Sequence, residues 1–188
     1  MKKVLFLNHN QENFGTYYRC LFLAKGLSER GYKVKMLCAS GKKFDLLVRR
    51  KKINKNLTLI TLPRIKYHEY FTGQIIFRLP LAVLYVIFSN YDICHAFTVA
   101  QPQIGIPAWV AKKIRRKKLI VDWDDAWEDG FAEYHPKFIR NILVFFEQRT
   151  PKIADYVTYV SEYIGNKLDK NGISRKIKIA NGCNTEGI

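Results

Sequence analysis

The stretch VDWDDAW, residues 121–127, sets Asp122, Asp124 and Asp125 between Trp123 and Trp127. Six of the sixteen Asp and Glu residues of a chain with formal net charge +16 fall between Asp122 and Glu133. Carboxylates this close repel one another and hold their protons longer, unless a cation or a hydrogen-bond donor stands near. Two chemistries use such a cluster. A carboxylate can take a proton from a hydroxyl group, or hard oxygen ligands can hold Mg²⁺ or Mn²⁺. Asp122 and Asp124 have the Asp-x-Asp spacing of the second, and on an extended strand they would share one face while Asp125 points away. Three residues of so common a type match that spacing by chance, and a divalent metal is not expected.

Other chemistries are excluded by what the motifs lack. A dinucleotide site needs GxGxxG after the first strand and an acid at the end of the second. Here there is one glycine, Gly15, and the second strand ends Cys38-Ala39-Ser40, which rejects NAD. No GxxxxGK[ST] occurs, so a P-loop is rejected too. Ser161 stands at a strand-to-helix turn without the flanking glycines of a nucleophile elbow. His95 closes a strand, as a structural or a substrate-facing histidine would. Gly15 and Thr16 open a helix, where a lone glycine is an ordinary turn or lets a ligand phosphate approach backbone N–H groups.

Periodicity supplies the elements that must position these residues. Strands are expected over 3–8, 32–40, 56–63, 91–97, 118–123, 155–161 and 176–181. Helices are expected over 16–31, 69–89, 102–116, 135–154 and 162–172. Alternation of this kind predicts an α/β fold: a Rossmann-like, mostly parallel sheet with helices on both faces. Ligands bind such sheets at the carboxyl ends of their strands. NHNQENFG, CASG, HAF, WDDAWEDG, SEY and NGCNT would therefore converge on one rim.

Length and 48% hydrophobic content suit one folded domain. The four cysteines are widely spaced and are expected as reduced thiols in a cytoplasmic protein. The opening MKKVLFLNHN is too short in apolar residues for a secretory signal. A pI near 9.8 draws the chain to polyanions. The segment 41–55 holds seven basic residues against one acid, with leucines and a valine among them. That is the pattern of a solvated basic loop or of a surface touching anionic lipid. No nucleic-acid-binding signature accompanies the charge, and nucleic acid is not expected. The apolar stretch 75–88 is interrupted by Arg78 and Pro80 and falls short of the roughly 20 residues a membrane span needs.

Four segments carry a resemblance: FGTYYRCLFLAKGLSERGYKVKML (14–37), YDICHAF (91–97), LIVDWDDAW (119–127), and ADYVTYVSEYIGNKL with GISRKIKIANGCNTEGI (154–168 and 172–188). Together they resemble the N-terminal domain of family 4 (group 1) glycosyltransferases, which have the two-domain GT-B fold. The last block, with its Ser-Glu and Asn-Gly, is the most specific. The resemblance implies sugar transfer from a nucleotide-sugar donor to a glycan or lipid-linked acceptor, without a cofactor, at the cytoplasmic face of an anionic membrane that the protein touches peripherally. It implies an acceptor-binding domain over 1–182, with 183–188 beginning a linker to a C-terminal donor-binding domain that is absent. Gly15 and Thr16 would face the donor diphosphate, His95, Ser161 and Glu162 would line the cleft, and Asn181 would mark the crossing. Asp124 stands where relatives carry histidine and Asp125 where they carry aspartate; these two are the expected catalytic pair. Trp127 is expected against a sugar ring, and Trp123 within the sheet. The alternative is a non-catalytic basic α/β module for polyanionic glycan, membrane or nucleic acid, since the family's Glu-x₇-Glu donor motif is absent from this chain.

Overall fold

The computed structural model describes residues 1–65, 77–98 and 100–182. An eight-stranded sheet forms its centre. Its strands are β1 (Lys3–Gln11), β2 (Lys33–Ala39), β4 (Arg49–Lys52), β5 (Leu57–Leu62), β7 (Ile93–Phe97), β8 (Lys118–Trp123), β9 (Tyr156–Tyr159) and β10 (Lys176–Lys178), and they lie in the order β10-β9-β8-β7-β1-β2-β5-β4. All neighbours are parallel except β4, which runs antiparallel to β5. A small antiparallel pair, β3 (Phe44–Asp45) with β6 (Arg64–Ile65), sits beside it. The fold is the expected mostly parallel α/β sheet.

Burial on both sides explains the near-continuous apolar strands. In β1, Val4 and Phe6 pack toward α1 (Thr16–Glu29), while Leu5 and Leu7 join the opposite core. The small residues Cys20 and Ala24 let α1 approach the sheet. On the other face lie α2 (Leu79–Phe88), α3 (Pro102–Trp109) and α5 (Glu162–Lys170). α4 (Lys137–Ile153) packs on α3 and against the end of β8. The helix expected over 102–116 is α3 continued by one π-helical turn, Val110–Ile114. Of the helix expected over 69–89, residues 66–76 lie outside the described residues. Cys20, Cys38 and Cys94 are buried free thiols.

β4 departs from expectation. Residues 49–52 read as part of a basic loop because four successive cations lack any apolar alternation. Its main chain nonetheless pairs with β5, and an edge position leaves the side chains in solvent. The last strand is shorter than expected, ending at Lys178 rather than Asn181.

Candidate active site

The chain leaves β1 to one side, through β2 and β5, and then to the other through β7, β8, β9 and β10. That reversal puts a topological switch point, where sheets of this kind form their ligand crevice, between the carboxyl ends of β1 and β7. Thr98, directly after β7, and Thr16, at the start of α1, meet there. The Thr16 hydroxyl donates to Asp124 Oδ2 at 2.7 Å, and the Thr98 hydroxyl to Asp124 Oδ1 at 2.5 Å. Thr98 has φ +56°, an uncommon backbone for a β-branched residue. Strain of this sort persists only where its surroundings hold it, and here Thr98 is held with its side chain on a carboxylate.

The glycine before Thr16 is required by geometry. Gly15 has φ +55°, and a Cβ there would meet the Asn10 side-chain nitrogen at 2.5 Å. A tight turn thus feeds α1 so that its first residue, Thr16, reaches Asp124.

The acid cluster is divided among separate partners. Asp122 is fully buried and receives Arg19 in a two-pronged contact, Nε to Oδ1 at 2.8 Å and Nη2 to Oδ2 at 2.9 Å. The Thr158 hydroxyl also donates to its Oδ2. Both oxygens of Asp122 are therefore engaged within the fold. Glu128 and Asp129 pair with Lys167 at 2.9 and 2.6 Å. Among the described residues Asp124 accepts from the two threonine hydroxyls, one on each oxygen, which leaves each oxygen able to accept a further donor. Asp125 is exposed, and its pKa is raised by partial desolvation and by the neighbouring Asp124.

Behind Asp124 stands His9, buried, with its pKa pushed down to about 4 chiefly by that burial. It is a neutral ring at ordinary pH. The half-buried Trp127 ring lies edge-on to it, 6.3 Å between centroids, and stacks at a tilt on Phe131. Among the described residues neither His9 Nδ1 nor Trp127 Nε1 has a hydrogen-bond partner, although both atoms are buried. Such orphans are rare in folded proteins. The segment carrying Trp127 is pinned by Glu147 of α4, whose carboxylate accepts the backbone N–H groups of Trp127 at 3.1 Å and Glu128 at 2.7 Å.

The remaining expected site residues divide in two. Asn181 reaches the same side of the molecule, its Oδ1 accepting from Arg19 Nη1 at 3.1 Å. Ser161 caps α5, accepting the Ile164 N–H at 3.4 Å, and the exposed Glu162 pairs with Lys178 at 2.6 Å. His95 is not on the rim. It is buried within β7, its ring against Phe6 and Phe97, and its pKa is driven down to about 3 by burial. Trp123 belongs to the core. Arg19, Thr98, His9 and Glu147 are not singled out by the sequence. Each is a lone residue in its stretch of chain, and only the assembled sheet brings them to the cluster.

With the crevice in place, the comparisons decide the family. The family model described as Glycosyltransferase Family 4 matches residues 17–186. The chain belongs to this family. No curated protein matches the sequence. Among solved structures, the family 4 domain is similar to sucrose-phosphate synthase from Thermosynechococcus elongatus, with a TM-score of 0.70 at 14% identity, over 99% of this chain and 49% of that one. It also resembles the catalytic domain of starch synthase IV from Arabidopsis thaliana bound to ADP and acarbose, with a TM-score of 0.58 at 12% identity, over 98% and 52% of the two chains. MurG from Acinetobacter baumannii gives a TM-score of 0.55 at 13% identity, over 100% and 47%. At such identities these likenesses concern the fold. The chain spans about half the length of these proteins and forms one Rossmann-like half of the GT-B fold.

Proposed function

We propose that this family 4 domain is the acceptor-binding half of a transferase that moves a sugar from a nucleotide-sugar donor to a glycan or lipid-linked acceptor. The observation that carries the reading is Asp124, suspended between Thr16 and Thr98 at the switch point, with one hydroxyl donating to each of its oxygens. A carboxylate so fixed orients an acceptor hydroxyl. Asp125 beside it, exposed and less acidic than an ordinary aspartate, is placed to take the proton as the hydroxyl attacks the donor sugar. Trp127 offers an apolar ring face to the acceptor. The Gly15–Thr16 turn opens α1 on the side where a donor diphosphate would lie. That donor is held by a second domain across the cleft. Ser161 and Asn181 bound the opening, and peripheral contact with an anionic membrane brings a lipid-linked acceptor within reach.

The test is sugar transfer by the complete two-domain enzyme carrying Asp124→Asn. Loss of turnover with an unchanged unfolding midpoint is expected. Wild-type turnover would remove Asp124 from the reaction.

A further inference from the structure

Segment 42–52 presents a surface that the crevice does not use. Phe44, Leu46, Leu47 and Val48 are 67, 56, 63 and 44% exposed. On either side stand Lys42 and Lys43 and the four cations of β4, all exposed. The one acid of the segment, Asp45, is turned inward. It is buried, accepts the Ser40 hydroxyl at 2.7 Å and the Leu47 N–H at 3.2 Å, and receives Arg49 at 3.2 Å. Among the residues of segment 42–52, what faces solvent is therefore apolar side chains flanked by positive charge.

We propose that this segment docks on an anionic phospholipid bilayer and holds the rim bearing Asp124 toward it. Four successive cations on an edge strand have a simpler use, in that they prevent pairing with other chains. That accounts for β4 but not for the four exposed apolar side chains before it. Phosphate-rich nucleic acid would engage the cations and stack a base on Phe44, yet it would gain nothing from the three aliphatic side chains Leu46, Leu47 and Val48. A bilayer answers both: headgroups neutralise the lysines and arginines, and the acyl boundary receives the apolar chains.

The location fits. Residues 41–48 leave the carboxyl end of β2, at the same end of the sheet as the crevice. Gly41 N–H donates to Glu12 Oε2 at 3.3 Å, and Glu12 N–H donates to Ala39 O at 3.0 Å, which ties the segment to the loop leading to Gly15 and Thr16. An acceptor could keep its lipid end in the bilayer and present its polar end to Asp124. That last step rests on the acceptor reading above, whereas the docking itself does not.

The experiment is flotation of the 188-residue chain with vesicles of phosphatidylcholine alone or with about one-third phosphatidylglycerol. Binding to the anionic vesicles only is expected, with at least about tenfold loss when salt is raised from about 0.1 to 1 M. The double variant Leu46→Ser/Leu47→Ser keeps the charge and alters only exposed side chains. It should weaken binding about tenfold with an unchanged urea midpoint, and in the complete enzyme it should slow transfer to vesicle-embedded acceptor but not to a water-soluble one. Equal binding to neutral vesicles, or a double variant that floats like wild type, would overturn the docking. Duplex DNA bound at about 0.15 M salt equally by wild type and double variant, with no flotation, would assign the surface to nucleic acid instead. None of these failures touches the Asp124→Asn test, which reads the acceptor site separately.

Discussion

Asp124 and Asp125 are adjacent in sequence and opposite in circumstance. Asp124 is fixed by two hydroxyls from distant parts of the chain, and Asp125 is exposed beside it with a raised pKa. We expect Asp124→Asn to lower kcat of the complete enzyme by roughly 10²-fold, the cost of misplacing a reacting group, because an amide both weakens the acceptor bond and turns a donor toward it. Removing a general base lowers turnover by roughly 10²–10⁴, the range expected at Asp125. For Asp125 the signature is the pH profile. The rate should fall as pH drops through its raised pKa, since only the ionised form accepts a proton. In Asp125→Asn that acid limb should vanish along with most of the rate. An unchanged limb in kcat against pH would assign it to another group.

At the scale of elements, α1 does more than cover the sheet. Its first residue touches Asp124, and its Arg19 grips Asp122 of β8 and Asn181 beyond β10. Breaking a buried ion pair leaves a charge without its partner, at a cost of about 3–5 kcal/mol. Arg19→Met should therefore lower unfolding free energy by that order in urea titration, and Arg19→Met/Asp122→Leu should recover much of it. Gly15→Ala should cost about 1–3 kcal/mol through its positive φ, seen in the same titration. Much of this frame is legible in local sequence. The strands and helices follow apolar periodicity, and the rim segments follow from strand order. The acid cluster stands out by density alone, yet sequence cannot assign its members. Asp122 has the spacing of half a metal motif, and only the fold brings Arg19, more than a hundred residues away, to occupy it. His95 ends a strand as a site residue would, and only the packing of Phe6 and Phe97 shows it enclosed. β4 is illegible for a different reason: backbone pairing at an edge places no demand on side-chain pattern.

Across the whole molecule, a net charge of +16 sits over an interior in which a buried carboxyl group, Glu147, and buried imidazoles, His95 and His9, titrate in opposite senses. Burial raises Glu147 from 4.5 to about 7 and lowers His95 from 6.5 to about 3. Between about pH 4.5 and 7 the folded chain binds more protons at Glu147 than the unfolded chain does, so that contribution to stability is present at low pH and falls as pH rises. At His95 the folded chain binds fewer, so stability is present above about pH 6.5 and falls as pH drops toward 3. The two slopes oppose each other over their shared window, and each can be removed alone. Glu147→Gln keeps an acceptor for one of the two backbone N–H groups but cannot ionise. Relative to wild type, its unfolding free energy should rise between about pH 5 and 7, because the declining contribution of Glu147 is gone while the histidine contributions remain. The amount abolished should be on the order of 3 kcal/mol, since a tenfold difference in proton affinity between folded and unfolded chain corresponds to about 1.4 kcal/mol. His95→Gln should do the reverse and retain more of its neutral-pH stability at about pH 4 than wild type does. Urea titrations of the three proteins across that range separate the effects. Parallel curves would show that neither group changes its protonation on folding. A difference between Glu147→Gln and wild type that stays constant from about pH 5 to 7 would assign the neutral-pH penalty to a group other than Glu147.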